Sequence, residues 1–408
     1  MWRVSAVLVL VAVSILFPTK TLGQAFGDRI YYVGSNQHIW VDYASCTTSG
    51  VYCVTSTVKY NDIDLNLLES GAPLPATNSA VGTWDFYNSD PQALYTLYFG
   101  ANGHLETMYE QASPQSGSWS FEDLSSLAGA PAAASGSSLA TLIHSGTPHA
   151  YYIGADSHVH EIYSPTASQW LAVDMTMAAP GAPEAAVGSA LAAWVGGSYE
   201  LVYYTTANGH VLELYSRDEG ATWAYTDVTM AASAPAAIGG TSLVGYEDGN
   251  TAHLYYFATG ATGDYVQELR TSGTAWVTFD LTTLSSAPLP ANTSSLAGYT
   301  GGGWDFVYYL APSGQVQELF ASSNGNTWGT TDITNAAGAP VAGTNTHLIG
   351  MTDGYISQFQ VYYTDSSNFV RLLYVSSNQW LYLPTNTVPT SGASGLAFLE
   401  ATGTPVGP

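Results

Sequence analysis

The sequence contains few basic residues. Only 7 of its 408 residues are Lys or Arg, against 31 Asp or Glu, so the formal net charge is −24 at pH 7. A surface of this sign repels phosphate backbones and anionic lipid headgroups. We therefore expect neither nucleic-acid binding nor membrane insertion, and the composition favours a neutral partner.

Cysteines and the motifs of common catalytic centres are also scarce. The two cysteines, Cys46 and Cys53, lie in one predicted loop, and no HExxH, GxSxG, P-loop or paired-cysteine metal pattern is present. Exported proteins can oxidise such neighbouring thiols, whereas the cytosol keeps them reduced. The sequence favours a local disulfide, with two free thiols as the alternative, and it predicts no enzyme activity, no metal site and no cofactor.

Only one long apolar run occurs, at residues 4–17. It follows Arg3 and precedes the small residues Thr21 and Gly23. This arrangement is typical of a secretory signal peptide, and the run is short for a membrane span, which is the alternative interpretation. We expect residues 1–23 to be a signal peptide and residues 24–408 to form a single secreted, extracellular domain.

A repeat dominates the rest of the chain. Each unit has a tyrosine-rich pair, a segment like HVLELY, a tryptophan and then an Ala-Pro. The tryptophans recur at intervals of 51 to 53 residues, and an aspartate follows most of them by four positions: Trp119/Asp123, Trp170/Asp174, Trp223/Asp227, Trp276/Asp280 and Trp328/Asp332, then Trp380 with Pro384. A degenerate first unit containing Tyr31 and Tyr32 raises the count to seven.

Each unit predicts four short strands. In HVLELY, residues 210–215, side chains alternate between two faces, and the runs ELVYYTT, TWAYTDVT and TSLVGY are rich in β-branched and aromatic residues. The connecting stretches contain prolines and glycines that oppose helix formation. Four antiparallel strands at this period indicate a β-propeller blade. We predict an all-β, seven-bladed β-propeller over about residues 28–399, closed when residues 394–399 pair with the strand around Tyr31.

One stretch of the repeat fits a known turn motif. SRDEGATW, residues 216–223, matches the Asp box, which stabilises the turn between the third and fourth strands of a blade. Sialidase propellers carry such boxes, but they also need clustered arginines, and few arginines are present here. A role in the fold is therefore favoured over a catalytic one.

Glutamates recur at one position of the third strand. They are Glu161, Glu213, Glu268 and Glu318. Blade faces pack on neighbouring blades, and an unpaired buried charge is costly. These carboxylates therefore either form structural hydrogen bonds or line pockets between blades, where they would accept hydrogen bonds from the hydroxyls of a ligand.

The repeated pattern resembles a family of sugar-binding propellers. The chain resembles the bacterial fucose-binding propeller lectins of the Photorhabdus lectin type. The resemblance lies in the tyrosine pair and in the motifs HVxELY, W-x3-D-[LVIM]-T, A-x-A-P and S-x-L-A-x-[WY]. The pattern is also similar to the fucose lectin of the orange-peel mushroom, whose propeller has six blades. The resemblance extends from about residue 29 to residue 399, and its motif is more specific for the fold than for the sugar.

The resemblance implies binding sites between blades. In the mushroom type, an arginine before the tyrosine pair and a third-strand glutamate bind the sugar hydroxyls, and a tryptophan of the following blade covers the apolar face of the sugar. The corresponding pairs here are Glu161/Trp223, Glu213/Trp276, Glu268/Trp328 and Glu318/Trp380. The arginine position holds His149, Leu201, His253 and Phe306 in those units. Because bacterial relatives often carry histidine there, the pockets with His149 and His253 are the best candidates, while core packing is the alternative role of the tryptophans.

These observations predict a secreted, non-enzymatic lectin. It would recognise fucose-like or O-methylated neutral sugars on glycans, and repeated weak sites would act together on a glycan-coated surface. A sialidase-like glycoside hydrolase would require a deep central pocket with acids and arginines. A scaffold for protein interactions would lack the glutamate and tryptophan pairing. The sequence leaves a homo-oligomer open.

The cysteine pair gives the first testable prediction. Bridging Cys46 and Cys53 closes a short loop, so we expect only about 2–3 kcal/mol of stabilisation at most. Mass spectrometry of the secreted protein without reductant should show the bridged peptide. Two thiols that react with an alkylating agent would contradict the bridge.

Overall fold

The computed structural model describes most of the chain. The described residues are 9–11, 25–46, 58–77, 79–85, 93–111, 119–166, 169–218, 220–261, 263–272, 274–292, 294–323, 325–344, 346–351, 359–385 and 389–390. They form the predicted ring of seven blades, each an antiparallel sheet of four strands. No helix among them is long and apolar enough to cross a membrane.

The strands of each blade follow one another in chain order. Blade one comprises β1 (Val9–Val11), β2 (Ala25–Val33), β3 (Ile39–Cys46) and β4 (Val58–Asp64); blade two β5 (Val81–Asp85), β6 (Ala93–Phe99), β7 (Leu105–Gln111) and β8 (Trp119–Asp123); blade three β9 (Leu139–His144), β10 (Thr147–Ile153), β11 (Val159–Thr166) and β12 (Gln169–Asp174); and blade four β13 (Leu191–Gly196), β14 (Tyr199–Thr205), β15 (Val211–Ser216) and β16 (Ala224–Asp227).

The last three blades repeat this order. Blade five comprises β17 (Leu243–Asp248), β18 (Thr251–Gly260), β19 (Gly263–Ser272) and β20 (Ala275–Asp280); blade six β21 (Ala297–Gly301), β22 (Trp304–Leu310), β23 (Val316–Ser322) and β24 (Gly329–Asp332); and blade seven β25 (Ile349–Met351), β26 (Gln360–Thr364), β27 (Val370–Ser376) and β28 (Gln379–Pro384). First strands of neighbouring blades lie against one another, and the buried hydrophobic clusters join adjacent blades.

Short helices follow the fourth strands, contrary to the helix-free prediction. They are α1 (Leu65–Leu68), α2 (Leu124–Ala128), α3 (Met175–Ala178), α4 (Val228–Ala232), α5 (Leu281–Ser285) and α6 (Ile333–Ala337). An isolated helix of this length is unstable in water. Each of these is held by a capping aspartate, which belongs to the W-x3-D motif in all but α1, where Asp64 follows Tyr60. Its carboxylate accepts a backbone N–H of the first turn, and the first residue of each helix is fully buried.

Histidines support several of these caps. In blade four, Nδ1 of His210 lies 2.6 Å from Oδ2 of Asp227, while Oδ1 of Asp227 accepts the N–H of Met230. The same pairing occurs as His38/Asp64, His104/Asp123 and His158/Asp174. The histidine that begins HVLELY therefore has a structural partner in these blades.

A second repeated hydrogen bond joins each of blades two to seven to the loop before it. The hydroxyl of the second tyrosine in the pair donates to a proline carbonyl, as Tyr204 does to Pro183 at 2.6 Å. The equivalent pairs are Tyr98/Pro73, Tyr152/Pro131, Tyr256/Pro235, Tyr309/Pro288 and Tyr363/Pro340. This bond explains why Ala-Pro recurs in step with the tyrosine pair.

The ring closes between blades seven and one. Ile30 and Tyr32 pack with Tyr362 and Leu372, and Gly34 forms an isolated antiparallel bridge with Thr390. The strand that pairs with β2 differs from the prediction. It is Val9–Val11, within the expected signal peptide, and it pairs with residues 29–31. The segment 394–399 lies outside the described residues, as does Cys53, so closure by residues 394–399 in a chain without residues 1–23 stays a prediction, and so does the disulfide.

Truncation can identify the closing strand. A chain that begins at residue 24 has lost Val9–Val11 and needs another partner for β2. We expect removal of residues 391–408 from that chain to lower its melting temperature by several degrees, because an unpaired inner strand exposes backbone groups and apolar surface. The control is the chain of residues 24–408. Equal melting temperatures would contradict closure by residues 394–399.

Candidate functional site

The ten predicted site residues lie between neighbouring blades. We call the contact between blades three and four seam 3/4, and name the others likewise. A seam receives a third-strand glutamate from the earlier blade and a tryptophan from the later one, as predicted. The structure adds the first tyrosine of the pair. In seam 4/5, Tyr203 donates a 2.6 Å hydrogen bond to Glu213 and meets the Trp276 ring edge-on at 6.4 Å.

The tyrosine link recurs in later seams. In seam 5/6, Tyr255 donates to Glu268 at 3.3 Å and contacts the Trp328 ring at 6.4 Å. In seam 6/7, Tyr308 donates to Glu318 at 3.1 Å, and the centroids of the Tyr308 and Trp380 rings lie 6.5 Å apart. In seam 3/4, Tyr151 and Trp223 share one buried cluster. The sequence did not single out these tyrosines as site residues. Strand register could have done so, because Tyr203 pairs directly with Glu213.

Seam 5/6 contains one of the two predicted histidine pockets. Nδ1 of His253 lies 2.9 Å from Oε1 of Glu268, and both side chains are fully buried. Tyr246 stacks on the His253 ring and its hydroxyl lies 2.9 Å from that of Tyr255. Among the described residues, neither Oε2 of Glu268 nor Nε2 of His253 has a hydrogen-bond partner. This seam therefore contains a free acceptor beside a free imidazole nitrogen.

Seam 3/4 contains the other predicted histidine pocket. Nδ1 of His149 lies 2.6 Å from Oε1 of Glu161. A second carboxylate, Glu200, reaches the same place from β14, and its Oε1 lies 2.7 Å from Nδ1 of His144. Burial raises the pKa of Glu161, and the nearby Glu200 acts in the same direction, whereas the His149 hydrogen bond opposes both. The sequence analysis missed Glu200 and His144, because neither belongs to the repeated pattern.

The two remaining seams are apolar at the corresponding position. In seam 4/5, Leu201 packs in one hydrophobic cluster with Ala252. In seam 6/7, the Phe306 and Phe359 rings lie 4.7 Å apart. Their glutamates consequently depend on tyrosine alone. Burial raises the pKa of Glu213 and brings the pKa of Glu318 to about 7, while the tyrosine hydrogen bond opposes the shift in both.

The seams are closed over these side chains. Glu161 and Trp223 are 1% and 4% exposed, and Glu268 and Trp328 are 0% and 5% exposed. The Asp-box turn covers seam 3/4, held by bonds from Gly220 and Thr222 to Ser216 and Asp218 respectively. A ligand would therefore need this turn to move.

A different segment covers seam 5/6. Arg270 of blade five donates from Nη1 to the carbonyl of Gly325 at 3.0 Å and from Nη2 to Oδ1 of Asn326. Its guanidinium also stacks on Phe279. The turn of blade six is thus fixed from the neighbouring blade, and this contact would have to open for a ligand to reach Glu268.

The surface cavity of about 520 Å³ lies elsewhere. It is lined by residues such as Pro183, Asn208, His210 and Asp227, near the helix caps, and contains none of the predicted glutamates or tryptophans. Its carboxylate and imidazole already pair with each other. We therefore place the candidate site in the seams.

The described arginines do not form a sialidase-type cluster. Arg217 stacks on Tyr199 and Tyr215 in blade four. Arg270 binds the turn of blade six, and Arg371 of blade seven forms a 2.6 Å ion pair with Asp365. Because these three guanidinium groups bind separate local partners, they do not converge on a substrate carboxylate.

The fold is similar to that of solved lectins. The BP39L lectin from Burkholderia pseudomallei superimposes with a TM-score of 0.64 at 13% identity, covering 95% of this chain and 100% of that chain. AofleA from Arthrobotrys oligospora superimposes with a TM-score of 0.51 at 15% identity, covering 79% of this chain and 90% of that chain. A lectin of Aleuria aurantia is described as six-bladed with a novel fucose recognition mode. It superimposes with a TM-score of 0.50 at 16% identity, covering 77% of this chain and 96% of that chain.

Similarity at this level establishes the fold alone. No protein-family model and no curated protein matches the sequence. The chain is thus a seven-bladed propeller whose structural neighbours include lectins, and its relation to the Photorhabdus type stays a prediction.

Glu318 gives a prediction for stability against pH. Its pKa of about 7 in the folded protein lies above the ordinary 4.5, so its stabilising contribution is complete below pH 4.5 and is lost as the pH rises through 7. Glu318→Gln should reduce the fall in unfolding free energy over this range by up to about 3 kcal/mol. Urea unfolding at several pH values measures this. The exposed Glu184→Gln is the control, and an unchanged pH profile in Glu318→Gln would refute the assignment.

Proposed function

We propose that the protein is a secreted lectin that binds neutral fucose-like or O-methylated sugars in the seams. The observation that carries the proposal is found in seams 3/4 and 5/6. There a buried carboxylate oxygen has no hydrogen-bond partner within the described ranges and lies in the same seam as a tryptophan of the next blade. An unsatisfied buried acceptor costs stability, so its retention needs a reason. Acceptance of sugar hydroxyls supplies one.

The chemistry of both seams suits a sugar. A carboxylate forms strong hydrogen bonds with hydroxyl groups, and the tryptophan presents an apolar ring to C–H groups. His253 and Glu268 would bind hydroxyls in seam 5/6, with Trp328 as the platform. His149, Glu161 and Trp223 would do so in seam 3/4. The solved lectins with this fold, one of them described by its recognition of fucose, support the class of ligand.

The other two pairs have weaker support. Glu213/Trp276 and Glu318/Trp380 belong to seams where the histidine is replaced by Leu201 or Phe306. Their glutamates already accept hydrogen bonds from tyrosines. We expect seams 4/5 and 6/7 to have mainly a structural role, so two sites on one ring would provide the multivalency.

Complete burial of the seams favours one alternative. If the glutamates and tryptophans only hold blades together, the propeller would serve as a scaffold for protein interactions. The two proposals differ in glycan binding, since only a lectin requires the covering turns to admit a sugar.

Conservative substitutions in the two histidine seams test the lectin proposal. Glu161→Gln together with Glu268→Gln preserves shape but removes two charged acceptors. Losing a charge-assisted hydrogen bond costs about 1.5–3 kcal/mol, so calorimetry should show affinity for methyl α-fucoside reduced about ten- to a hundredfold at each site. Glu213→Gln is the matched control, and we expect it to bind like the parent.

Two outcomes would contradict parts of the proposal. Equal affinity in the double variant and the parent would show that the sugar binds elsewhere. A parent protein that binds no glycan on an array, including fucosylated and O-methylated sugars, would favour the scaffold.

A further inference from the structure

Seam 3/4 contains a compact cluster of metal-ligating side chains. His149 on β10, Glu161 on β11 and Glu200 on β14 each contribute one atom to a group whose members lie within 4.8 Å of one another. We propose that this cluster, here called the seam cluster, binds one divalent transition-metal ion of the Zn²⁺ class. The inference does not depend on the glycan proposal, although Glu161 belongs to both.

Charge balance is the first argument. Glu161 and Glu200 are each 1% exposed, and removing two carboxylates from water is costly without compensating positive charge. In the described part of the chain, the basic groups that pair with them are His144 and His149. Arg217, in the covering turn, stacks on tyrosines instead. A divalent cation would neutralise both carboxylates.

The distances form the second argument. Nε2 of His149 lies 3.6 Å from Oε1 of Glu200, which is long for a hydrogen bond. Two ligand atoms bound tetrahedrally to zinc at about 2.0–2.1 Å are roughly 3.4 Å apart. The spacing between imidazole and carboxylate therefore needs only a small adjustment to place an ion between them.

Hydrogen bonds already orient the ligands. Nδ1 of His149 lies 2.6 Å from Oε1 of Glu161, whereas Nε2 of the same ring faces Glu200, so Glu161 must turn away from Nδ1 to share an ion bound at Nε2. Oε1 of Glu200 is held by His144 at 2.7 Å. His144 would thus act as a positioning residue for Glu200.

Two buried carboxylate oxygens are left for the ion. Oε2 of Glu161 and Oε2 of Glu200 are buried and have no hydrogen-bond partner among the described residues. The Asp-box turn leaves space above them, because Gly220 has no side chain. A Cβ built on Gly220 would lie 3.7 Å from Oε2 of Glu200 and 3.9 Å from Oε2 of Glu161. The positive φ of Gly220, 84°, favours glycine there.

Two other groups of histidines and acids differ from the seam cluster. One is His104, Glu106 and Asp123, and the other is Asp156, His160 and Asp174. Asp123 and Asp174 each cap a helix and pair with the histidine that recurs in four blades. The fold therefore already accounts for much of each group, whereas in the described part of the chain no residue of the seam cluster caps a helix.

The donor set indicates the class of ion. Imidazole nitrogen suits zinc and other late transition metals, whereas calcium and magnesium prefer oxygen ligands alone. One imidazole and two carboxylates resemble the mixed donor sets of zinc sites. We therefore expect Zn²⁺ to bind more tightly than Ca²⁺.

Direct titration tests this inference. Full-length protein treated with a chelator and desalted is titrated with Zn²⁺ by calorimetry at pH 7.5. We expect the parent to bind one ion that Glu200→Gln weakens at least tenfold, because one of three ligands is lost. Glu161→Gln, the second variant, should have the same effect. Glu213→Gln, at the equivalent third-strand position in blade four, should bind zinc like the parent.

Melting curves in the presence and absence of Zn²⁺ check the folding of each variant. An ion that binds only the folded chain raises its melting temperature, so the parent and Glu213→Gln should shift, and a folded Glu200→Gln should not. Absence of zinc binding in the parent would overturn the inference. So would binding that both seam variants retain at full affinity, since the ion would then occupy another group.

The glycan proposal can fail separately. Glu268→Gln lies in seam 5/6, so it should weaken fucoside binding at that seam and leave zinc binding unchanged. Zinc binding without any glycan binding would support the seam cluster and contradict the lectin proposal.

Discussion

The packing of each blade against its two neighbours is the constraint on which this structure depends. A single four-stranded sheet cannot bury both faces by itself, so both faces of each middle strand must be covered by adjacent blades. Any polar side chain on such a face must find its partner within the seam. Tyrosines meet this requirement well, because the ring contributes apolar contact while the hydroxyl reaches a glutamate or a proline carbonyl.

The seams differ chemically although their backbones repeat. Where β10 and β18 carry His149 and His253, the following blade presents an acid, Glu200 in one seam and Asp305, beside Tyr246, in the other. Where Leu201 and Phe306 take that position, the following blade presents an apolar residue. In these seams a histidine of one blade thus faces an acid of the next, and an apolar residue faces an apolar residue, as electrostatic compensation requires. This matching supports a special role for the two histidine seams.

The motifs divide into those that build the ring and those that could bind a ligand. The W-x3-D aspartates cap helices, the Ala-Pro carbonyls accept tyrosine hydroxyls, and the Asp box closes a turn. All of them are occupied by partners within the fold. Among the described residues, buried oxygens of Asp42 and Glu106 in blades one and two lack a hydrogen-bond partner, and so do those of Glu161, Glu200 and Glu268 in the histidine seams. The glycan and cation proposals both rest on the oxygens in the histidine seams.

The sequence by itself determined the seven blades and the strand order within each, whereas the pairing of glutamates with tryptophans of the next blade was implied by the resemblance to propeller lectins. Periodicity carries this information, because the same local pattern recurs at a constant interval and a blade is stable only in an array. The repeat could not show the capped helices, since their stability comes from Asp227 and its equivalents together with burial of the following residue.

Only the tertiary structure decided which other groups enter the seams and whether they are closed. Glu200 and His144 break the repeat, and they meet His149 only because blades three and four pack together. The strand beside β2 likewise depends on contacts between distant parts of the chain, and Val9–Val11 takes that position here. Local pattern fixes which face a side chain occupies, whereas the partner on that face comes from another blade, and short-range sequence periodicity carries no information about it.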